Sequence, residues 1–322
     1  MPFAEVVGQE RAVSVLRRSI AMGRVAHAYL FTGIEGCGKK KTALAFVQAV
    51  FCGKDEACGV CPSCRKLAAG QHPDLHTLEA DGAFIKIDQI RDLQKELSYR
   101  PFEAPKKACI IDGAERLNLS SGNALLKTLE EPPGDALMIL LTPQPAAVLQ
   151  TILSRCQPLG FQPLSAELIE ERLLRDRFAP EAARVAATLA AGSLSRAMDI
   201  AADGALQGRD GFLTRVVTLT PGEIAPLFAA AEEFAADKEG LPGILELLLS
   251  FLRDVLLYPS TPQAIANADL EQLIAKEAAQ CPPGRVMALI EEVMNVRRLL
   301  SRNVNARLAL EVFFMHFSGR RG

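Results

Sequence analysis

The first half of the chain alternates short apolar runs with longer stretches in which apolar residues recur at helical spacing. The apolar runs are Ala28 to Thr32, Leu75 to Leu78, Ala108 to Ile111 and Ala136 to Leu141, the second being the weakest. Helical spacing covers Glu10 to Met22, Lys39 to Val50, Ile87 to Leu97 and Gly122 to Glu131. Pro132 and Pro133 stop the last of these, because proline has no amide proton for a continuing helix. Strands that alternate with helices predict a parallel sheet covered on both faces. Ligands then bind beyond the carboxyl ends of the strands. Gly33 to Lys40, Asp112 and Thr142 each follow a strand-like run.

From Ser165 onward the pattern is helical only, rich in Ala and Leu. Gly204 to Gly211 reads as a linker. Beyond it the spacing predicts an antiparallel helical bundle, broken at Pro221-Gly222, Gly240 to Gly243, Pro259 to Pro262 and Pro282-Pro283-Gly284. The expected division is therefore residues 1–164, 165–204 and 211–322. The bundle reads as a packing domain, and its apolar excess also fits subunit contacts. A length of 322 residues suits two or three domains. Hydrophobic residues make up 49% and charged residues 23%, the balance of a core-forming globular protein.

The net charge of −2 gives no global basic field, so any nucleic-acid contact is local or shared with partners. Trp is absent and there are three Tyr, which argues against an aromatic platform for single strands. The N-terminus lacks a basic segment followed by an apolar run, so no signal peptide is expected. No apolar stretch is long enough to span a membrane, and the expected location is the cytoplasm.

Gly33-Ile34-Glu35-Gly36-Cys37-Gly38-Lys39-Lys40 follows a strand and opens a helix. It matches the phosphate-binding loop G-x-x-x-x-G-K, with Lys40 where Ser or Thr is expected. Glycines let the backbone wrap phosphates, the helix N-terminus supplies positive potential, and Lys39 reaches the outer phosphates. The missing hydroxyl is the one that would hold Mg²⁺, and Thr42 is too far round the helix to replace it. Asp112 keeps the second metal-holding position, but Gly113 stands where an activating glutamate often follows. Glu115, two residues further on, is expected to point elsewhere. Mg²⁺-dependent hydrolysis should be weak or nil. Binding of ATP or ADP stays open, against a relic loop that binds nothing.

Eight cysteines occur, and Cys52, Cys58, Cys61 and Cys64 have the spacing C-x5-C-x2-C-x2-C. Four thiolates this close complete a tetrahedral zinc site with no open position, hence a structural one. A redox pair would not need four cysteines. An iron–sulfur run would carry its fourth cysteine downstream, before a proline, rather than upstream. Cys37, Cys109, Cys156 and Cys281 read as ordinary small residues. His72 reads as a loop histidine beside Pro73 rather than a spare ligand. Lys106 and Lys107 read as a solvated loop pair.

These residues together resemble bacterial clamp-loader subunits of the AAA+ class, the delta-prime type above all, over nearly the whole chain. The resemblance rests on Val6-Val7-Gly8-Gln9, on His27-Ala28-Tyr29-Leu30-Phe31, and on the cysteine insert followed by His72-Pro73-Asp74. Its most specific run is Ser121-Gly122-Asn123-Ala124-Leu125-Leu126-Lys127-Thr128-Leu129-Glu130-Glu131-Pro132-Pro133. Ser154-Arg155-Cys156 and Asn303 to Glu311 add to it.

The resemblance implies an α/β P-loop (AAA+) domain with a zinc-binding insert, then a small helical lid and an all-α collar. It implies that Arg155 is an arginine finger, presented to ATP on a neighbouring subunit. Arg196, in Gly192-Ser193-Leu194-Ser195-Arg196, matches a second sensor facing this chain's own nucleotide, and Thr142 the first sensor. Lys127 and Glu130 would lie on a helix capped by Ser120 or Ser121, with Glu130 a candidate for a charge network near the site. The implied partners are gamma/tau and delta subunits of DNA polymerase III, with the sliding clamp and primed DNA met through the assembly. Lys40 and Gly113 depart from a hydrolysing member. The alternative is an ATP-hydrolysing motor of gamma/tau type with an atypical metal site.

Overall fold

The computed structural model describes residues 2–54, 56–202, 205–219, 223–237, 240–300 and 304–319. Two compact units emerge: residues 1–169 with 191–195, and residues 170–190 with 196–322.

The first unit is a parallel five-stranded sheet in the order β2-β3-β4-β1-β5. The strands are β1 (Ala28–Thr32), β2 (Leu75–Leu78), β3 (Ala108–Asp112), β4 (Leu137–Thr142) and β5 (Gln157–Gly160). Between them run α1 (Glu10–Ala21, before β1), α2 (Lys39–Cys52), α3 (Pro62–Ala68), α4 (Ile87–Ser98), α5 (Leu119–Glu130) and α6 (Gln150–Leu153). Apolar side chains occupy both faces of the central strands, as a doubly covered parallel sheet requires. Alternation along β1 sends Tyr29 and Phe31 into a core with Leu16 and Phe46. It sends Ala28 and Leu30 into the opposite core, with Ile90, Leu125 and Met138. The register sets Thr32 beside Thr142, and Asp112 beside Leu141, so the functional ends of β1, β3 and β4 lie level.

The four expected strands are present, with β3 reaching one residue further to include Asp112. Strand β5 was not expected, because its sequence QPLG is neither apolar nor alternating. Its place at the sheet edge explains how it carries Pro158. Helix α3 was also unexpected. Helix α5 starts at Leu119, and its cap is Asn118, whose Oδ1 accepts from the Ser121 amide at 2.9 Å; the cap is not Ser120 or Ser121. Lys107 is buried rather than solvated, and its Nζ donates to the Glu96 carbonyl at 2.7 Å.

The second unit is helical. Helix α7 (Ala166–Arg175) begins in the first unit, α8 (Pro180–Leu189) lies in the second, and α9 (Leu194–Ala202) starts in the first. The remaining helices are α10 (Ala205–Thr218), α11 (Ile224–Ala236), α12 (Leu241–Leu257), α13 (Glu271–Gln280), α14 (Pro283–Leu300) and α15 (Ala306–Ser318). Their core contains Phe212, Leu245, Phe251, Val293, Phe313 and Phe314. The expected linker at 204–211 is helical from Ala205 onward. Glycines at 208 and 211 cost a helix about 1 kcal/mol each, and the burial of Phe212, Leu213 and Val216 outweighs that. Residues 203 and 204, the break at Pro221-Gly222 and Asn303 lie outside the described residues. Among the described residues no helix is long and apolar enough to cross a membrane.

Candidate nucleotide loop and cysteine cluster

The loop between β1 and α2 adopts backbone angles that only glycine takes without strain. Gly36 has φ +74° and Gly38 has φ +104°. A Cβ on Gly36 would lie 2.1 Å from Ser193 Oγ, and the Leu194 amide donates to the Gly36 carbonyl at 3.0 Å. The loop is thus seated on residues 193 and 194. Gln9 fixes its other side: its Nε2 donates to the Cys37 carbonyl at 3.0 Å and to the Gln162 carbonyl at 2.7 Å. Lys39 is buried, and its Nζ donates to the carbonyls of Gly33 (2.6 Å) and Ile34 (2.7 Å). Thr42 Oγ1 donates to the Gly38 carbonyl at 2.9 Å, so this hydroxyl is turned into its own helix.

Lys40 does something its sequence position does not announce. Its ammonium bonds Glu79, just beyond β2, and lies 3.3 Å from Asp112 Oδ2 at the end of β3. The Glu79 hydrogen bond raises the Lys40 pKa, with Asp112 adding to it against partial burial, and the same contact lowers Glu79. Mg²⁺ at such a loop needs a hydroxyl after the lysine and an available acid. Here the hydroxyl is absent and the acid already faces a tethered cation, so these residues do not fit the ion.

Gly113 is left-handed, with φ +85°. Glu115 turns back toward the sheet against expectation, and Thr142 Oγ1 donates to its Oε2 at 2.8 Å. Glu35, Lys39, Glu79, Asp112, Gly113, Glu115 and Arg116 line a cleft of about 250 Å³. Glu79 and Glu115 are the site residues that sequence reasoning missed. Glu115 had a signal in its closeness to Asp112; Glu79 had none, because its contact joins residues far apart in the chain.

Arg155 follows α6 and is not among the residues lining this cleft. Its guanidinium lies 2.5 Å from Glu130 Oε1, and its Nη1 donates to the Thr151 carbonyl at 3.0 Å. Arg196, in the second unit, lies 2.7 Å from Glu246 Oε2.

Cys52 ends α2, Cys61 caps α3 and Cys64 lies in its first turn. With Cys58 their sulfurs all lie within 4.8 Å of one another. Cys58 and Cys64 are 4.0 Å apart, as are Cys61 and Cys52. A tetrahedral metal with bonds of about 2.3 Å sets sulfurs roughly 3.8 Å apart, so the four thiols fit one ion. Backbone amides of Cys58, Cys61 and Cys64 point at neighbouring sulfurs, at 3.4 to 3.5 Å. The amides of Val60 and Cys61 bring the Cys58 thiol down to about 6, while burial pushes Cys64 up to about 12. His72 stays outside the cluster, its ring tilted 50° against that of Phe51 with centroids 4.8 Å apart, and its Nδ1 accepts from the Asp74 amide. Cys37, Cys109, Cys156 and Cys281 are separately buried.

Two family models match this chain. One, described as DNA polymerase III, delta subunit, covers residues 8–165. The other, DNA polymerase III, delta subunit, C terminal, covers residues 203–319. The chain is 34% identical over 310 residues to DNA polymerase III subunit delta' of Bacillus subtilis, covering 94% of both. It is 31% identical to the delta' subunit of Pseudomonas aeruginosa over 92% of this chain and 93% of that one. It is 30% identical to DNA polymerase III subunit tau of Escherichia coli over 96% of this chain, but spans only 52% of tau. A crystal structure of a gamma subunit-related protein from Thermotoga maritima shares the fold, with a TM-score of 0.51, 17% identity, and coverage of 97% of this chain and 100% of that one.

Proposed function

The chain belongs to the delta-prime subunit family of DNA polymerase III, the clamp-loader subunits, and on that premise we propose that it works as a non-hydrolytic stator. One observation carries the reading: Lys40 of the phosphate loop holds Asp112, the acid a hydrolysing site would give to Mg²⁺. With Gly113 in the next position, this cleft is poorly equipped for turnover. Its chemical contribution is then made elsewhere, by Arg155 in trans to a neighbouring subunit's ATP. A guanidinium aimed at phosphate charge that develops in the transition state acts by electrostatics alone. Its position outside this chain's own cleft supports that role.

In this reading residues 1–164 carry the nucleotide loop, 165–204 form a lid and 211–322 a collar that assembles with gamma/tau and delta subunits. The assembly opens the sliding clamp and loads it on primed DNA. Thr142 and Arg196 serve as sensors of nucleotide at Gly33, Gly36, Gly38, Lys39 and Asp112. Cys52, Cys58, Cys61 and Cys64 hold structural Zn²⁺.

The test is Arg155→Ala in the reconstituted assembly. The expected result is intact assembly with ATP turnover at the affected site lowered by ~10²-fold or more. Unchanged assembly together with an unchanged rate would discard the finger. The likeness to tau supports a second reading, a hydrolysing motor. Vigorous Mg²⁺-dependent turnover by the isolated chain, abolished by Lys39→Ala, would establish it in place of the stator.

A further inference from the structure

Lys40 departs from the loop pattern in a way that replaces a function as well as removing one. The ammonium stands at the first turn of α2, beyond the carboxyl ends of β2 and β3, and bridges Glu79 and Asp112. Asp112 and Glu79 both line the cleft together with Lys39. Lys40 is not itself a lining residue, but it bonds two that are, so a cation is supplied covalently at the edge of the cleft, next to the acid that would otherwise recruit a divalent ion. A second cation arriving from solvent would meet like charge there. Without Lys40, Glu35, Glu79, Asp112 and Glu115 would face incoming phosphates with Lys39 and Arg116 as the lining cations, which disfavours an anion.

We propose that the Lys40 ammonium substitutes for Mg²⁺ in this cleft, so that the chain binds a nucleoside di- or triphosphate without a divalent ion. The backbone of Gly36 to Lys39 and the Lys39 ammonium hold the phosphates, and Lys40 offsets the carboxylates that Mg²⁺ would otherwise mask. The inference rests on reading Gly33 to Lys40 as a nucleotide loop. It does not depend on what Arg155 does in trans.

The experiment titrates fluorescent mant-ADP and mant-ATP into the full-length chain, in excess Mg²⁺ and then in excess EDTA. The native chain is expected to show dissociation constants that agree within about twofold between the two conditions. In Lys40→Thr, which restores the hydroxyl and frees Asp112, affinity in EDTA should fall about tenfold or more below that in Mg²⁺. Lys40→Met removes the charge at similar size, should also weaken binding in EDTA, and serves if the threonine variant does not fold. Native binding that requires Mg²⁺, or a Lys40→Thr chain as indifferent to Mg²⁺ as the native one, overturns the proposal alone. Absence of binding in both conditions, or binding unaffected by Lys39→Ala, overturns it together with the nucleotide-loop reading. Neither result touches Arg155, which is measured separately in the assembly.

Discussion

Asp74 is fully buried, yet its carboxylate accepts three backbone amides: Phe102 at 2.6 Å, Glu103 at 2.9 Å and Ala104 at 2.8 Å. Burial pushes this carboxyl up, but the amides of Glu103, Phe102 and Ala104 outweigh it and hold the pKa below the ordinary value. A carboxyl with a depressed folded pKa stabilises the fold above the unfolded pKa and loses that contribution as pH falls through the folded one. Asp74→Asn should therefore cost ~3 kcal/mol near neutral pH, since an amide offers one acceptor oxygen and brings donors where donors already point. Urea unfolding of native and variant chains should show this gap narrowing as pH falls from about 5 toward 3. A gap that ignores pH would mean the carboxylate charge is not what anchors residues 102–104. In the sequence, His72-Pro73-Asp74 stands out only as part of the family resemblance. The three amides that give it physical meaning come from a loop some thirty positions away, a distance no local pattern spans.

At the level of elements, what was legible followed from burial. Strands β1, β3 and β4 sit inside the sheet, so their sequences are continuous apolar runs that announce themselves. Strand β5 needs only one buried side chain, Leu159, and its exposed proline and glycine erased the signal. Helix α3 has one fully buried residue, Cys64, with Leu67 packed against the core beside it, too little apolar signal to mark a helix in the sequence. The spacing of the four cysteines predicts a single site, and their sulfurs converge. That geometry carries a prediction. Among the described residues the segment connecting α2 to α3 buries only Ala57, so a metal held by the four thiolates is expected to supply its order. Purified protein should contain one zinc ion per chain. Chelation, or Cys58→Ser, should raise amide exchange across residues 53–68 by about tenfold or more while β1, β3 and β4 keep their protection. Equal protection with and without metal would show that the α2–α3 connection holds itself together.

Across the whole molecule, the departures from a hydrolysing pattern are spread over α2, which carries Lys40, and the segment after β3, which carries Gly113 and Glu115, so in the stator reading no single reversal should restore turnover. Lys40 occupies Asp112 and Glu79, Gly113 lacks a carboxylate, and Glu115 is bonded to Thr142. Lys40→Thr repairs only the first of these. It should give an isolated chain whose nucleotide binding responds to Mg²⁺ and whose turnover stays at background. Adding Gly113→Glu supplies the carboxylate but sets a side chain on a left-handed backbone, where φ is +85° and a Cβ would sit 3.3 Å from Arg116 Cδ. That strain should cost roughly 1–3 kcal/mol and show as a lowered melting temperature. The double variant is thus expected to be less stable and still slow, because the new carboxylate is fixed by a backbone built for glycine. ATPase assays on the isolated native, single and double variants, run beside thermal melts, check this directly. Brisk Mg²⁺-dependent turnover in Lys40→Thr alone would show that one residue separates this chain from a motor, and would overturn the claim that its departures are distributed.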